Sequence, residues 1–380
     1  MSFQSSALAN APITAYVHPH PVDSPSHQGG PRLRQLDSLR AFAVLAVLVH
    51  HFLPVGKVIP ENFLTLGLLG VRFFFTLSGF LITGILLRNQ SIGTFYVRRA
   101  LRIIPAYYLC LLVMVVAGVP DARSLFLWHM FYLSNVVSYK GVFIGTGHFW
   151  SLAVEEQFYL VWPWLLLKTP VRHIWKLTVG AILSTLVFKT AVAFKLGGHS
   201  VGGVLPLACL DSLGLGALLA CFYHNARLRP YRARFMRAAL ILGWLIVLVQ
   251  TALHVWGRGT RVFYSTAYLG VSLIFVWLVG KGADGRLWKI IEARPLLYTG
   301  KISYGIYLWH NFALALVVWW WGYKPSAWVI APAATLLTYA AAATSWKLVE
   351  SPLNSLKDKW TGGRSASPAV VPLENAAGGI

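Results

Sequence analysis

Arg40 and His51 stand eleven residues apart in the apolar string LDSLRAFAVLAVLVHHF. Three helical turns take about 10.8 residues at about 1.5 Å per residue, so both side chains would project from one face, about 16 Å apart. An imidazole that titrates near neutrality suits removal of a proton from a hydroxyl. A snorkelling arginine with a structural histidine would give the same spacing. Glu155 and Glu156 adjoin in FWSLAVEEQFYLVWPW. A carboxylate can orient an imidazole and stabilise its protonated form. Neighbours on a helix point in different directions, so at most one of the two is expected to meet His51. Pairing with a base such as Arg72 is the structural alternative.

Arg99 and Arg102, three apart in FYVRRALRIIPAYY, share a helix face, and Arg98 lies one residue before. Three guanidiniums at a membrane face make a clamp for phosphate or pyrophosphate, though topology alone also places bases there. Pro105 is expected to kink this helix. Ser78-Gly79 in GVRFFFTLSGFLITGILL invites close approach of a neighbouring backbone. No base adjoins Ser78 in the sequence, which weakens a covalent serine mechanism. Asp211, His310, Tyr304 and Tyr307 are further polar groups in apolar strings and are candidates for one cavity. For each of them alone, a satisfied bond within or between helices is the alternative. Glu350 reads as a helix-end ion pair with nearby Lys347.

These residues must be held by helices that exclude charge. Only 12% of the 380 residues are charged, against about 25% in soluble domains. With 57% hydrophobic residues and a mean hydropathy of +0.61, a soluble α/β enzyme is excluded. Stretches able to span the hydrocarbon core fall near 36–54, 63–87, 100–119, 150–168, 173–195, 203–223, 237–256, 262–280, 302–321 and 327–348. The apolar run 124–138 is short and suits an interfacial or re-entrant helix. The fold class is therefore an all-α polytopic bundle of about ten transmembrane helices. Residues 1–34 and 356–380 read as disordered tails around a membrane domain at 35–355. His18, His20 and His27 fall in the first tail. Cys110, Cys209 and Cys221 lack metal or disulfide spacing, and no metal is expected.

Lys and Arg number 33 against 12 Asp and Glu, a net charge of +21. In the ten-span arrangement 24 of the bases flank one face and seven the other, a positive-inside pattern that puts both termini in the cytoplasm. The charge thus follows membrane topology, and no nucleic-acid partner is expected. A transporter or flippase for a glycolipid or anionic solute could use the same basic entrance and polar cavity without chemistry. No repeat with paired broken helices favours it.

Taken in order, Arg40-x10-His51, SGFL at 78–81, FYVRRALRIIPAYY at 95–108, WSLAVEEQFYLVWP at 150–163, SYGIYLWH at 303–310, and Glu350 with Pro352 resemble the acyltransferase 3 family of integral-membrane acyltransferases. Members of that family acylate O-antigen, Nod factors, peptidoglycan and macrolides. The resemblance implies transfer of an acyl group, most commonly acetyl, from cytoplasmic acyl-CoA to a hydroxyl of a carbohydrate or glycolipid at the cell (inner) membrane. It implies that Arg99 and Arg102 hold the CoA phosphates, with Arg40 near the entrance and Ser78-Gly79 on the donor side. His51 would deprotonate the acceptor or assist acyl relay, with Glu155 as its carboxylate partner. Glu156, Tyr304, His310 and Asp211 would belong to the substrate pocket. Many relatives carry Asp where this chain has Arg72, and Arg where it has Cys209. Both departures bear on the acceptor pocket more than on the donor site. Some relatives carry a fused C-terminal SGNH hydrolase-like domain, which is not expected in these 380 residues.

Overall fold

A computed structural model describes residues 34–53, 65–88, 91–138, 145–195, 203–256, 261–321 and 326–360. Of the segments read as tails, 1–34 and 356–380, residues 1–33 and 361–380 lie outside the described residues, as do His18, His20 and His27, while Arg34 and residues 356–360 are helical. Ten helices of 19 to 25 residues occupy the ten expected spans. These are α1 (Arg34–Phe52), α2 (Leu66–Leu87), α3 (Ile92–Val116), then after three short helices α4 (Pro120–Ser124), α5 (Phe126–Met130) and α6 (Ser134–Ser138), α7 (Phe149–Lys168), α8 (Ile174–Lys195), α9 (Pro206–His224), α10 (Arg232–Val255), α11 (Arg261–Ala283), and, following the short α12 (Arg294–Lys301), α13 (Ser303–Trp321) and α14 (Ala327–Ser345). A π-helical turn at Trp346–Glu350 leads into α15 (Ser351–Trp360), which continues past the expected domain boundary at 355.

Seven helices, α2, α3, α8, α9, α10, α11 and the one beginning at Ala327, are long and apolar enough to cross a membrane. The pair α12–α13, bent by 75°, makes an eighth if it is one span. Helices α1 and α7 fall short because of the polar groups that mark them, Asp37, Arg40, His50 and His51 in one and Glu155 to Gln157 in the other. The chain is an all-α, multi-pass membrane bundle.

Lipid tails are as apolar as leucine, so helices in a bilayer associate through close packing and hydrogen bonds. Glycines provide that packing here. A methyl group at Gly79 would collide with the Leu213 carbonyl, and one at Gly216 with the Thr76 carbonyl, so α2 and α9 meet backbone to backbone. Gly70 sits likewise on the Ala43 carbonyl of α1, and Gly300 of α12 on that of Asp37. Trp162 of α7 donates to Thr83 of α2 at 2.9 Å.

Helix α3 starts eight residues before the span expected from residue 100. Ser91 caps it, its hydroxyl accepting from the Thr94 N–H at 3.1 Å. Arg98, Arg99 and Arg102 therefore ride on its early turns. The run 124–138 does not cross. Leu127 and Phe131 are each 64% exposed, while Tyr107 donates to the His129 carbonyl (2.9 Å), Tyr108 to that of Met130 (2.6 Å) and Gln157 to that of Tyr132 (2.7 Å). Burial pushes the His129 imidazole down to about 4, and its Nδ1 lies 2.8 Å from the Ser134 hydroxyl. Helices α3 and α7 thus hold this segment through its backbone carbonyls.

Candidate active site

A cavity of about 80 Å³ lies between α1, α2, α3, α7 and α13. Arg40, Arg99 and Arg102 line it, together with Ser78, Glu155, Glu156, Tyr159, Ser151, Tyr304 and Tyr307. Arg40 is held by Asp37 one turn earlier, at 2.7 Å. Arg99 lies over the ring of Tyr159, 4.7 Å from its centroid. Tyr304 donates to the Ile103 carbonyl at 3.2 Å, tying α13 to the arginine helix. The three arginines, carried by two helices, therefore open onto the same space, as a phosphate clamp requires.

In the cavity wall, Ser78 and Tyr159 both hydrogen-bond to Oε1 of Glu155, and Tyr159 also donates to Ser78 at 3.0 Å. This corrects the expectation that Glu155 partners His51. The helix sets Glu155 and Tyr159 four residues apart on one face, and that face turns toward α2, not toward the end of α1. Ser78 thereby gains the carboxylate neighbour that the sequence did not reveal. Glu156 lines the cavity with no hydrogen bond among the described residues. Gly79 faces α9 and takes no part in the lining.

Behind the cavity lining, Tyr307 adjoins a group of histidines that do not themselves line the space. Tyr307 shares a 2.5 Å hydrogen bond with Ser151 and donates to the His148 carbonyl at 3.2 Å. The His148 and His310 rings lie 4.7 Å apart, and those of His310 and His51 4.9 Å. His51 and His310, 259 positions apart in the chain, are thus neighbours. His51 is exposed at the end of α1, whereas His310 is fully buried. His148, Tyr159 and Asn311 were not singled out in the sequence. Tyr159 was legible as the i+4 neighbour of Glu155, and His148 as a polar residue at the start of the same apolar string. Among the described residues no group of His, Cys, Asp and Glu could hold a metal ion.

Asp211 does not line the cavity, which corrects its assignment to the pocket. It is fully buried between two cations, accepting from Arg72 at 2.8 Å and from Lys189 at 2.6 Å. Arg72 also donates to the Ala208 carbonyl at 3.2 Å. A charge inside a bundle demands such partners, and three helices converge to provide them. Glu350 is likewise buried. It accepts from Ser345 at 3.1 Å, and no ion pair joins it to Lys347, because the π-helical turn rotates it inward against Gly305.

A family profile described as an acyltransferase domain matches residues 33–347. Peptidoglycan O-acetyltransferase OatA of Listeria monocytogenes is 33% identical over 310 residues, 72% of this chain and 48% of that protein. O-acetyltransferase OatA of Staphylococcus aureus is 28% identical over 349 residues, 84% of this chain and 56% of that protein. The chain spans about half the length of these curated relatives. No solved structure matches it. The profile covers the bundle from α1 to the end of α14 and includes every residue lining the cavity, so the chain belongs to the acyltransferase 3 family.

Proposed function

We propose that the chain is a membrane-embedded O-acyltransferase moving an acetyl group from cytoplasmic acetyl-CoA, or another acyl-CoA, to a hydroxyl of a carbohydrate or glycolipid acceptor. The observation that carries this reading is one cavity lined by Arg40, Arg99 and Arg102 whose lining residue Tyr307 adjoins the group of His51, His148 and His310. Arg99 and Arg102 take the CoA phosphates, Arg40 guards the entrance, and the pantetheine arm passes Ser78 and Tyr159. His51 takes the proton of the acceptor hydroxyl. The acceptor oxygen attacks the thioester carbon, the C–S bond breaks, and the proton passes to the departing thiolate. The similarity to peptidoglycan O-acetyltransferase OatA supports a polymeric cell-wall sugar as acceptor. The basic residues on one face support an inner-membrane orientation with both termini cytoplasmic, α1 and α7 crossing with the rest.

The test is transfer from labelled acetyl-CoA to an oligosaccharide by the purified protein in detergent or vesicles. His51→Ala is expected to abolish transfer while CoA still stabilises the protein against heat. Retained transfer would overturn the mechanism. Solute uptake with no thermal effect of CoA would replace the enzyme reading with a transporter.

A further inference from the structure

His310 makes one hydrogen bond through its ring and lacks another. Its Nδ1 lies 2.6 Å from the Tyr307 carbonyl. A carbonyl only accepts, so Nδ1 carries the proton and Nε2 keeps its lone pair. That Nε2 is buried without a partner among the described residues. An acceptor stranded in this way costs free energy unless something donates to it.

The neighbours narrow the choice of donor. His148 has both nitrogens committed, Nε2 to the Leu308 carbonyl and Nδ1 to the Asn311 amide, each at 3.0 Å. Phe52, 6.4 Å away between ring centroids, has nothing to donate. The Tyr307 ring lies 5.4 Å away, but its hydroxyl is engaged by Ser151 and the His148 carbonyl, which leaves His51 as the polar ring against His310, at 4.9 Å between centroids, a spacing that hydrogen-bonded imidazoles adopt. Glu155, expected in this role, is engaged by Ser78 and Tyr159.

We propose that His310 is the positioning residue of the reaction: its Nε2 accepts a hydrogen bond from the N–H of His51, turns the other nitrogen of His51 toward the acceptor hydroxyl, and stabilises the imidazolium that forms. The assignment rests on His51 being the base. The proton moves from the acceptor oxygen to His51 and then to the CoA thiolate, and His310 keeps its own Nδ1 proton throughout. Tyr307 fixes the tautomer and so links the cavity lining to the base. A neutral imidazole here replaces the carboxylate of a serine-hydrolase triad, which avoids a second buried charge.

The experiment compares His310→Leu, His310→Gln and His51→Ala in the full chain, measuring kcat, the KM for acetyl-CoA, and thermal stabilisation by CoA. His310→Leu is expected to lower kcat at least 100-fold with unchanged KM and unchanged CoA stabilisation. His310→Gln, whose side chain can accept a hydrogen bond, is expected to recover at least tenfold over the leucine variant. Wild-type kcat in His310→Leu, or equal impairment of the two variants with a raised KM, overturns the proposal. If leucine prevents folding, His310→Ala assayed with added imidazole decides: restored kcat supports the role, and none in folded protein overturns it. Inactive His51→Ala beside a fully active His310→Leu refutes this inference alone. Active His51→Ala refutes it together with the function on which it rests.

Discussion

Ser78 donates to the carboxylate of Glu155 across the cavity wall, although 77 positions separate them in the chain. Tyr159 donates to the same oxygen and lies beneath the guanidinium of Arg99. The carboxylate therefore organises α2, α7 and, through the tyrosine ring, the arginine helix. Hydrogen bonds to charged groups contribute about 1.5–3 kcal/mol each. Glu155→Gln is expected to lower kcat/KM about 10- to 100-fold, and Ser78→Ala by less, because Tyr159 still reaches the carboxylate. Steady-state transfer kinetics on the purified variants check this.

The arginines predict a different kinetic signature. Arg99 and Arg102 open onto the cavity beside Arg40, where they would meet phosphates before any bond is broken. Arg99→Ala and Arg102→Ala should each raise the KM for acetyl-CoA about tenfold or more with a small change in kcat, the mark of lost uniform binding. Raising ionic strength should weaken donor binding in the wild type more than in the double variant.

Asp211 predicts a loss of stability. Removing one partner of a buried ion pair costs about 3–5 kcal/mol, since the other charge remains. Here Asp211→Asn would leave Arg72 and Lys189 facing each other in the apolar interior. Thermal unfolding in detergent should show a large drop in Tm. Replacing all three by apolar residues of similar volume should recover most of it, whereas a substrate-binding role would leave that triple variant inactive but no more stable.

The fold was largely legible in the sequence, and the site only in part. Each expected span holds one long helix, because apolar length governs membrane crossing and is read locally. Spacing alone put Arg99 and Arg102 on one helix face and Tyr304 one turn from Tyr307 on another. Glu155, Asp211 and Glu350 could not, for their partners come from other helices: Ser78 from α2, Arg72 and Lys189 from α2 and α8. Glu350 lies on a π-helical turn, whose extra residue shifts the facing of the side chain in a way that a 3.6-residue period does not anticipate. His310 was singled out, yet its adjacency to His51 depends on how α1 and α13 pack.

Gly79→Ala and Gly216→Ala should each prevent normal assembly, because the added methyl meets a carbonyl oxygen of the facing helix rather than a side chain that can turn away. Reduced Tm and reduced yield from the membrane are the expected outcomes. Gly93→Ala, where nothing lies within 4 Å, serves as the control and should behave as wild type.

That backbone contact has a mechanical consequence. Helices α2 and α9 touch at two reciprocal glycine steps and act as one beam, so the wall carrying Ser78 is a fixed jaw. Any widening that admits or releases a bulky donor falls to the opposite jaw. There α3 has given up a backbone hydrogen bond at Pro105, and α12–α13 turns through 75° next to Tyr304. Arg99 and Arg102 ride on α3 and Ser78 on the α2–α9 beam, so any such widening would change the distance between these two arginines and Ser78.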